Sequence, residues 1–166
     1  MKRILLIPFF LLLISHVSFS QTQEIVKILN KELKKESRYQ LKDPGFFGDT
    51  LWVVTPYRID SNVLSVTIRK KDPYDGKYYT EKQEIALDKI RTIVKDINVI
   101  FEAEDNAVRI TQTATNTSEP LATETRYYNL FFLQLSYEKQ NEALADKLVK
   151  AFKKAGFTIE KRFWYD

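Results

Sequence analysis

The chain has 166 residues, with 26 lysines and arginines against 22 aspartates and glutamates, and this length suits one domain with its own hydrophobic core. It contains no cysteine, which excludes a disulfide framework, a thiol nucleophile and a thiolate metal site. The single histidine, His16, lies in the apolar N-terminal segment, so the remainder of the chain lacks the imidazole that a Ser-His-Asp triad or an ordinary zinc site needs.

Residues 1–20 have the layout of a cleavable secretory signal peptide. Two basic residues follow the initial methionine, an apolar run extends from Ile4 to Ile14, and small residues precede the cleavage predicted between Ser20 and Gln21. The run is shorter than the roughly 20 residues of a membrane-spanning helix, which disfavours a permanent anchor. Its ending, Ser-Phe-Ser-Gln, resembles the signals of secreted proteins from Bacteroidetes-type Gram-negative bacteria. We therefore expect a secreted or periplasmic protein with no stable membrane anchor after signal cleavage.

Removal of the signal peptide changes the charge of the chain. The signal carries two of the 26 basic residues, so 26 − 2 = 24 basic and 22 acidic side chains remain, a net charge of +2. A nearly neutral surface does not favour nucleic acid as a partner.

An amphipathic helix is predicted near the start of the mature chain, between Gln23 and Lys35. Its apolar residues recur at helical spacing, at Ile25, Ile28, Leu29 and Leu33. A loop with Pro44, Gly45 and Gly48 ends this part of the chain.

Six strand-like segments follow the loop, each rich in β-branched and aromatic residues. They are 51–55, 63–69, 78–85, 97–103, 108–110 and 127–135. Asp75-Gly76 predicts the tight turn of a hairpin. Residues 85–93 fit either a short strand or an irregular turn.

Residues 141–155 have the clearest helical pattern in the chain. Their apolar side chains recur at helical spacing, at Leu144, Leu148, Phe152 and Ala155. Gly156 predicts the end of this helix and Ser136 its N-cap. Residues 157–166 are predicted to form a short terminal strand or a packed tail.

The order of elements predicts an α+β domain. We assign the signal peptide to 1–20 and a single domain to 21–166, subdivided into an N-terminal helix at 21–40, strands at 50–135, a C-terminal helix at 136–156 and a tail at 157–166. Strands joined by turns imply an antiparallel sheet or a partly closed barrel.

Two stretches resemble parts of a known fold. IALDKIRTIVKDINVIFEAEDNAVRI looks like the middle strands of pleckstrin-homology-like barrels, including the GRAM subgroup, and ALADKLVKAFKKA looks like their capping helix. The resemblance covers residues 50–156 and implies a barrel with a C-terminal capping helix. A helix-grip or lipocalin-like half-barrel with an internal cavity is the alternative.

The segment 127–135 carries large apolar side chains on both faces of its predicted strand. Phe131 and Leu133 project to one side, and Leu130 and Phe132 to the other. We expect the two amphipathic helices to cover both faces, and an exposed docking patch is the alternative.

The remaining residues do not favour an enzyme. Glu102 and Glu104 are neighbours on one strand, whereas glycoside hydrolysis needs carboxylates that face each other across a cleft. Asp72, Asp75 and Gly76 lack the other ligands of a calcium loop, and no glycine-rich phosphate loop is present. We therefore predict no catalytic residues, no metal site and no cofactor.

A binding role is the prediction that remains. The partner would be an unknown protein or envelope component, and the alternative is a carrier of a small apolar ligand held between sheet and helices. The side chains predicted to contact a partner or ligand are Phe46, Phe47, Leu130, Phe132, Phe163, Trp164 and Tyr165. Asp49-Thr50-Leu51 resembles a Bacteroidetes-type O-glycosylation acceptor, which makes Thr50 a predicted modification site.

Overall fold

A computed structural model describes residues 6–43, 46, 50–72, 74, 76–115 and 123–165, with side chains from Gln21 onward. The α+β class is confirmed, with two helices and nine strands in this part of the chain. In order, the elements are α1 (Leu6–Lys42), β1 (Trp52–Asp60), β2 (Val63–Lys71), β3 (Tyr78–Ala86), a 3-10 turn (Leu87–Lys89), β4 (Ile90–Lys95), β5 (Val99–Ala103), β6 (Val108–Ala114), β7 (Thr123–Tyr128), β8 (Leu130–Phe132), α2 (Ala143–Lys154) and β9 (Glu160–Trp164).

The strands form two open sheets rather than a closed barrel among the described residues. The first sheet is antiparallel with the order β1-β2-β3-β6-β7, and the second has the order β8-β5-β4-β9. Among the described strand pairs, only that of β9 with β4 is parallel. The resemblance to pleckstrin-homology-like barrels therefore stays a prediction.

The chain passes from one sheet into the other at three places. β3 and β4 are consecutive in the chain, as are β5 and β6, and β7 and β8; the members of each pair lie in different sheets. At the bend, the N–H of Ala103 donates to the carbonyl oxygen of Asn129 (2.8 Å) and that of Glu104 to the carbonyl of Lys89 (3.1 Å). These bonds continue the pairing across the bend, so the two sheets act as one sharply folded surface.

The single strand predicted for 127–135 is wrong. The chain leaves the first sheet at Asn129 and enters the second at Leu130, and β8 ends at Phe132. Gln134 has a positive φ of 56°, which ends the extended conformation. Since apolar residues alternate through the break, the hydrophobic pattern alone does not reveal it. The uncertain segment 85–93 comprises the end of β3, the 3-10 turn and the start of β4, and the tail forms β9.

A chain of aromatic rings crosses the hydrophobic core. The ring of Phe131 on β8 lies 6.4 Å from that of Tyr57 on β1 and 6.4 Å from that of Phe101 on β5. Phe101 meets Phe152 of α2 edge to face at 5.4 Å. The rings thereby connect both sheets to the C-terminal helix.

Helix α1 is fixed to the first sheet by polar contacts as well as by its apolar stripe. The predicted stripe residues Ile25, Leu29 and Leu33 are buried. The side-chain amide of Asn30 accepts from the N–H of Tyr57 (2.8 Å) and donates to its carbonyl oxygen (2.8 Å), as a neighbouring strand would. The Tyr57 hydroxyl donates to the carbonyl oxygen of Leu133 (2.8 Å), and burial raises its pKa.

α1 begins at Leu6 and thus runs through the predicted signal peptide, whose cleavage stays a prediction. In the part of the chain that the structure describes, no helix is long and apolar enough to span a membrane.

The predicted end of helix α2 is confirmed, and its predicted N-cap is wrong. Gly156 has a φ of 86°, and the N–H of Phe157 donates to the carbonyl of Phe152 (2.9 Å), which is a Schellman motif. The helix starts at Ala143, seven residues after Ser136. Ser136 instead donates its hydroxyl to the carboxylate of Glu36 on α1 (3.1 Å).

Candidate functional site

A cavity lies where the two sheets diverge, and we call it the bend cavity. Its volume is about 230 Å³. Its described lining comes entirely from strands of both sheets and the bend between them: Lys70, Glu81, Ile110, Gln112, Glu124, Arg126, Tyr128, Asn129, Leu130 and Phe132. The predicted contact residues Leu130 and Phe132 are thus brought together in one site.

Strand register explains why polar residues of the first sheet meet in this cavity. Directly paired residues project to the same face of a sheet. Glu81 on β3 pairs with Gln112 on β6, which pairs with Glu124 on β7. The next row holds Gln83, Ile110 and Arg126.

The centre of the polar wall is Glu81, a carboxylate with only 4% of its surface exposed. It accepts hydrogen bonds from Lys70 Nζ (2.7 Å), Gln83 Nε2 (3.2 Å) and Gln112 Nε2 (3.0 Å). Gln83 in turn accepts from the backbone N–H of Phe132 (3.1 Å). Because both carboxylate oxygens of Glu81 are occupied, its role is to hold the cavity wall in place and tie β8 to the first sheet.

The bend cavity also has an apolar wall, to which both sheets contribute. Ile110, Leu130 and Phe132 are half-buried and face the opening. The alternate residues of this segment, Phe131 and Leu133, are buried in the core. We expected the two helices to cover both faces of this segment. They do not cover the whole face that carries Leu130 and Phe132, because part of it borders the cavity.

An ion pair stands at the rim of the bend cavity. Arg126 Nε and Nη2 donate to the two carboxylate oxygens of Glu124 at 2.8 and 2.9 Å. Hydrogen bonds with Glu124 and then Tyr128 raise the pKa of Arg126 above its ordinary value. The two cations of the lining, Lys70 and Arg126, are each paired with a lining carboxylate, so the cavity has no net charge. Such a lining suits an uncharged molecule with an apolar body.

Two of the predicted residues border a second cavity. Phe46 and Thr50 line a space of about 300 Å³ together with Gln40, Gln134 and Ser136. Phe47 lies outside the described residues, and Thr50 is exposed.

The predicted aromatic residues near the C-terminus divide between surface and core. Phe163 and Tyr165 are 65% and 62% exposed, and their rings stack at 6.2 Å. Trp164 packs against the core, and its Nε1 donates to Asn141 Oδ1 (3.2 Å). These three residues therefore do not form one site.

The acidic residues weighed in the sequence are engaged locally. Glu104 is exposed, and hydrogen bonds from Arg91 and then Lys89 hold its pKa below the ordinary value. Glu102 accepts from the hydroxyl of Thr92 on the neighbouring strand. Among the described residues, no group of three or more histidines, cysteines or carboxylates is arranged to hold a metal ion.

The polar wall was missed by the sequence reasoning, although one signal for it existed. That signal is the position of Glu81 across the predicted hairpin from the basic residues 69–71, and Glu81 does pair with Lys70. Gln83 and Gln112 carried no signal, since their importance depends on which strands pair on the far side of β3.

Comparison of the chain with protein-family models, with curated proteins and with solved structures found no match. The function is therefore argued from the geometry of the chain itself.

Proposed function

We propose that the protein is an exported, non-enzymatic binding domain that holds a small uncharged amphipathic molecule in the bend cavity. The observation that carries this proposal is the pairing of an apolar wall of Ile110, Leu130 and Phe132 with a fixed polar wall centred on Glu81. Ligand sites are typically concave and mainly apolar, with a few positioned polar groups. Export rests on the predicted signal peptide at residues 1–20.

The polar wall gives the ligand its orientation. Lys70 and Gln112 each donate to Glu81 and have further N–H groups for a ligand hydroxyl or carbonyl oxygen. The apolar wall supplies affinity through burial, at about 25 cal/mol per Å² of apolar surface removed from water. A binding role also agrees with the resemblance of residues 50–156 to pleckstrin-homology-like domains, which stays a prediction.

Filling the bend cavity is expected to weaken ligand binding. Indole and p-cresol serve as probes because each joins an aromatic body to one polar group. In Ile110→Phe the larger side chain occupies the space of the probe, so the Kd from NMR titration should rise at least about tenfold, the equivalent of roughly 1.4 kcal/mol. Probe-induced shifts should centre on the amides of Leu130 and Phe132.

The matched control is Ile97→Phe, which adds the same atoms at a residue that is 76% exposed and outside the cavity. It should leave the Kd unchanged. Equal probe affinity in both variants, or shifts centred elsewhere, would show that the bend cavity is not the site.

The edge of the second sheet favours a second candidate function, which is protein binding. β9 pairs only with β4, so its other edge is open in the described sheet. The stacked, exposed rings of Phe163 and Tyr165 lie on this strand and directly after it. Open edges bind extended segments of other proteins by adding a strand, and aromatic residues anchor such contacts.

Site-specific crosslinking tests this second candidate. Benzoylphenylalanine at position 163 should crosslink to one defined protein in envelope extract, or to a second copy of the chain, and Tyr165→Ser should reduce that yield severalfold. The same probe at position 97, which is also exposed, is the control. Identical crosslink patterns from positions 163 and 97 would rule out a specific edge contact.

A further inference from the structure

An arginine side chain is held between two aromatic rings on the outer face of the first sheet. The guanidinium carbon of Arg69 lies 4.0 Å from the ring centre of Tyr78 and 4.8 Å from that of Trp52. Its Nε is buried without a hydrogen-bond partner, and the Arg69 side chain forms no hydrogen bond or ion pair with any described residue. The group is thus positioned in advance, and no described residue uses its hydrogen-bonding capacity.

The strand register extends this site into a row of side chains. Trp52 pairs with Arg69 across β1 and β2, Arg69 with Thr80 on β3, Thr80 with Thr113 on β6, and Thr113 with Thr123 on β7. At a spacing of about 4.8 Å between strands, the row spans roughly 19 Å. Trp52 is 61% exposed at one end. A flat ring, a guanidinium without a hydrogen-bond partner among the described side chains and three hydroxyls therefore lie along one line.

The outer face as a whole is positively charged. By register it carries five cations and two anions, a net charge of 5 − 2 = +3: Arg58, Arg69, Lys71, Lys82 and Arg109 against Asp60 and Glu84. Glu84 already pairs with Lys82 (2.6 Å) and Arg109 (2.5 Å). The charge favours an acidic ligand.

The chemistry of the row distinguishes between acidic ligands. Protein interfaces have an apolar centre, whereas here Trp52 and Tyr127 lie on opposite edge strands and Tyr78 stacks on Arg69. The other side chains between the two edges are mainly threonines and charged residues. Nucleic acid needs many unpaired cations along its backbone, whereas Lys82 and Arg109 of this face both form ion pairs with Glu84. A sugar ring presents C–H groups to an aromatic face and hydroxyls to threonines, and an acidic sugar adds a carboxylate for a guanidinium.

We propose that this face binds an acidic oligosaccharide, with Trp52 stacking on a sugar ring and Arg69 donating to its carboxylate. The site is separate from the bend cavity, because the outer face and the cavity lie on opposite sides of the first sheet. The arginine would form charge-assisted bonds to the carboxylate, which gives both affinity and the preference for charged sugars. The threonines would accept and donate to neutral hydroxyls along the row.

Titration with tetragalacturonate tests the proposal, with calorimetry for the Kd and tryptophan fluorescence for the site. We expect binding that weakens at least about tenfold in Arg69→Gln and in Trp52→Leu, and that weakens with added salt. Arg162→Gln on β9 makes the same charge change away from the face and should change the Kd less than about twofold. Thermal unfolding of each variant establishes that it is folded.

Three further probes define the outcomes. Uncharged maltotetraose should bind at least about tenfold more weakly than tetragalacturonate, since it lacks the carboxylate. Tighter binding of deca-thymidylate or of an aspartate-rich peptide would overturn the proposal in favour of another class of partner. It would also be overturned if wild type did not bind tetragalacturonate, or if Arg69→Gln bound it as tightly as Arg162→Gln does.

Discussion

Replacing Glu36 by alanine is expected to lower the free energy of unfolding by about 3 kcal/mol. Glu36 is buried on α1, and its carboxylate accepts from the N–H of Ser136 (3.2 Å), the hydroxyl of Ser136 (3.1 Å) and the N–H of Tyr137 (3.0 Å). It also accepts from Gln40 Nε2 (2.9 Å). Alanine removes the one acceptor that these donors share, and each such loss costs about 1–3 kcal/mol before water and local relaxation compensate part of it.

The experiment is urea unfolding of Glu36→Ala beside Glu32→Ala. Glu32 lies one turn earlier on α1, is half-buried and pairs with Lys35 at 3.7 Å. Its removal should cost about 0.5 kcal/mol or less, as for other ion pairs near the surface. Similar losses in the two variants would contradict a specific role of Glu36 as the contact between α1 and the segment after β8.

The hydrogen bonds of Glu36 explain why the segment after β8 has a defined shape although it belongs to no strand or helix. Residues 133–142 connect β8 to α2. Glu36 holds its middle, and Lys95, which is buried on β4, donates to the carbonyl oxygen of Glu138 (2.8 Å) and to Asn141 Oδ1 (3.1 Å). Two charged side chains from distant parts of the chain thus satisfy backbone groups that regular structure would otherwise satisfy.

Local sequence signals predicted the elements that depend on local energetics. Helix α2 and its end at Gly156 follow from apolar spacing and from the left-handed conformation that glycine adopts without strain. The hairpin of β2 and β3 follows from the alternation of its strands. Of the predicted turn dipeptide, Asp75 lies outside the described residues and Gly76 has a φ of 71°. In these places the sequence neighbours of a residue are also its structural neighbours.

The bend of the sheet could not be predicted in this way. It falls at Asn129, at Leu87–Lys89 and at residues 104–107, which are far apart in the chain and meet only after the strands have paired. Part of the bend cavity was predictable because Leu130 and Phe132 give their segment a second apolar face, beyond the one that packs into the core. The other half was not, because Glu81, Gln83 and Gln112 resemble ordinary solvent-facing residues of alternating strands until their register is known.

The same limit applies to the outer face. Trp52 and Arg69 are 17 positions apart in the chain, and Tyr78 follows after a further hairpin. Only the register of β1 with β2 and of β2 with β3 places the guanidinium between the two rings. A tryptophan on an edge strand was the available signal, and strand propensity alone already accounts for it.

Replacing Phe131 by alanine is expected to have the largest effect of any substitution considered, a loss of about 3–5 kcal/mol in the free energy of unfolding. The side chain is fully buried and touches the rings of both Tyr57 and Phe101. Its removal leaves a cavity at the point where β1, β5 and β8 meet, and the surrounding strands are too constrained by their pairing to collapse into it. For a domain with a typical total stability of about 5–15 kcal/mol, this loss brings much of the population close to unfolding.

Chemical unfolding of Phe131→Ala, Phe131→Leu and Phe163→Ala shows whether the loss of stability comes from the buried volume at position 131 or from the loss of any phenylalanine. Leucine keeps most of the buried volume, so its loss should be well under that of alanine, about 1–2 kcal/mol. Phe163 is 65% exposed, and its truncation should change stability by about 0.5 kcal/mol or less. If Phe131→Ala cost no more than Phe163→Ala, the chain of aromatic rings could not be what joins the two sheets.

The next residue, Phe132, faces the bend cavity and not the core. Probe binding by the folded fraction of Phe131→Leu should therefore stay close to that of wild type. Two consecutive residues thus allow the core and the proposed site to be tested separately.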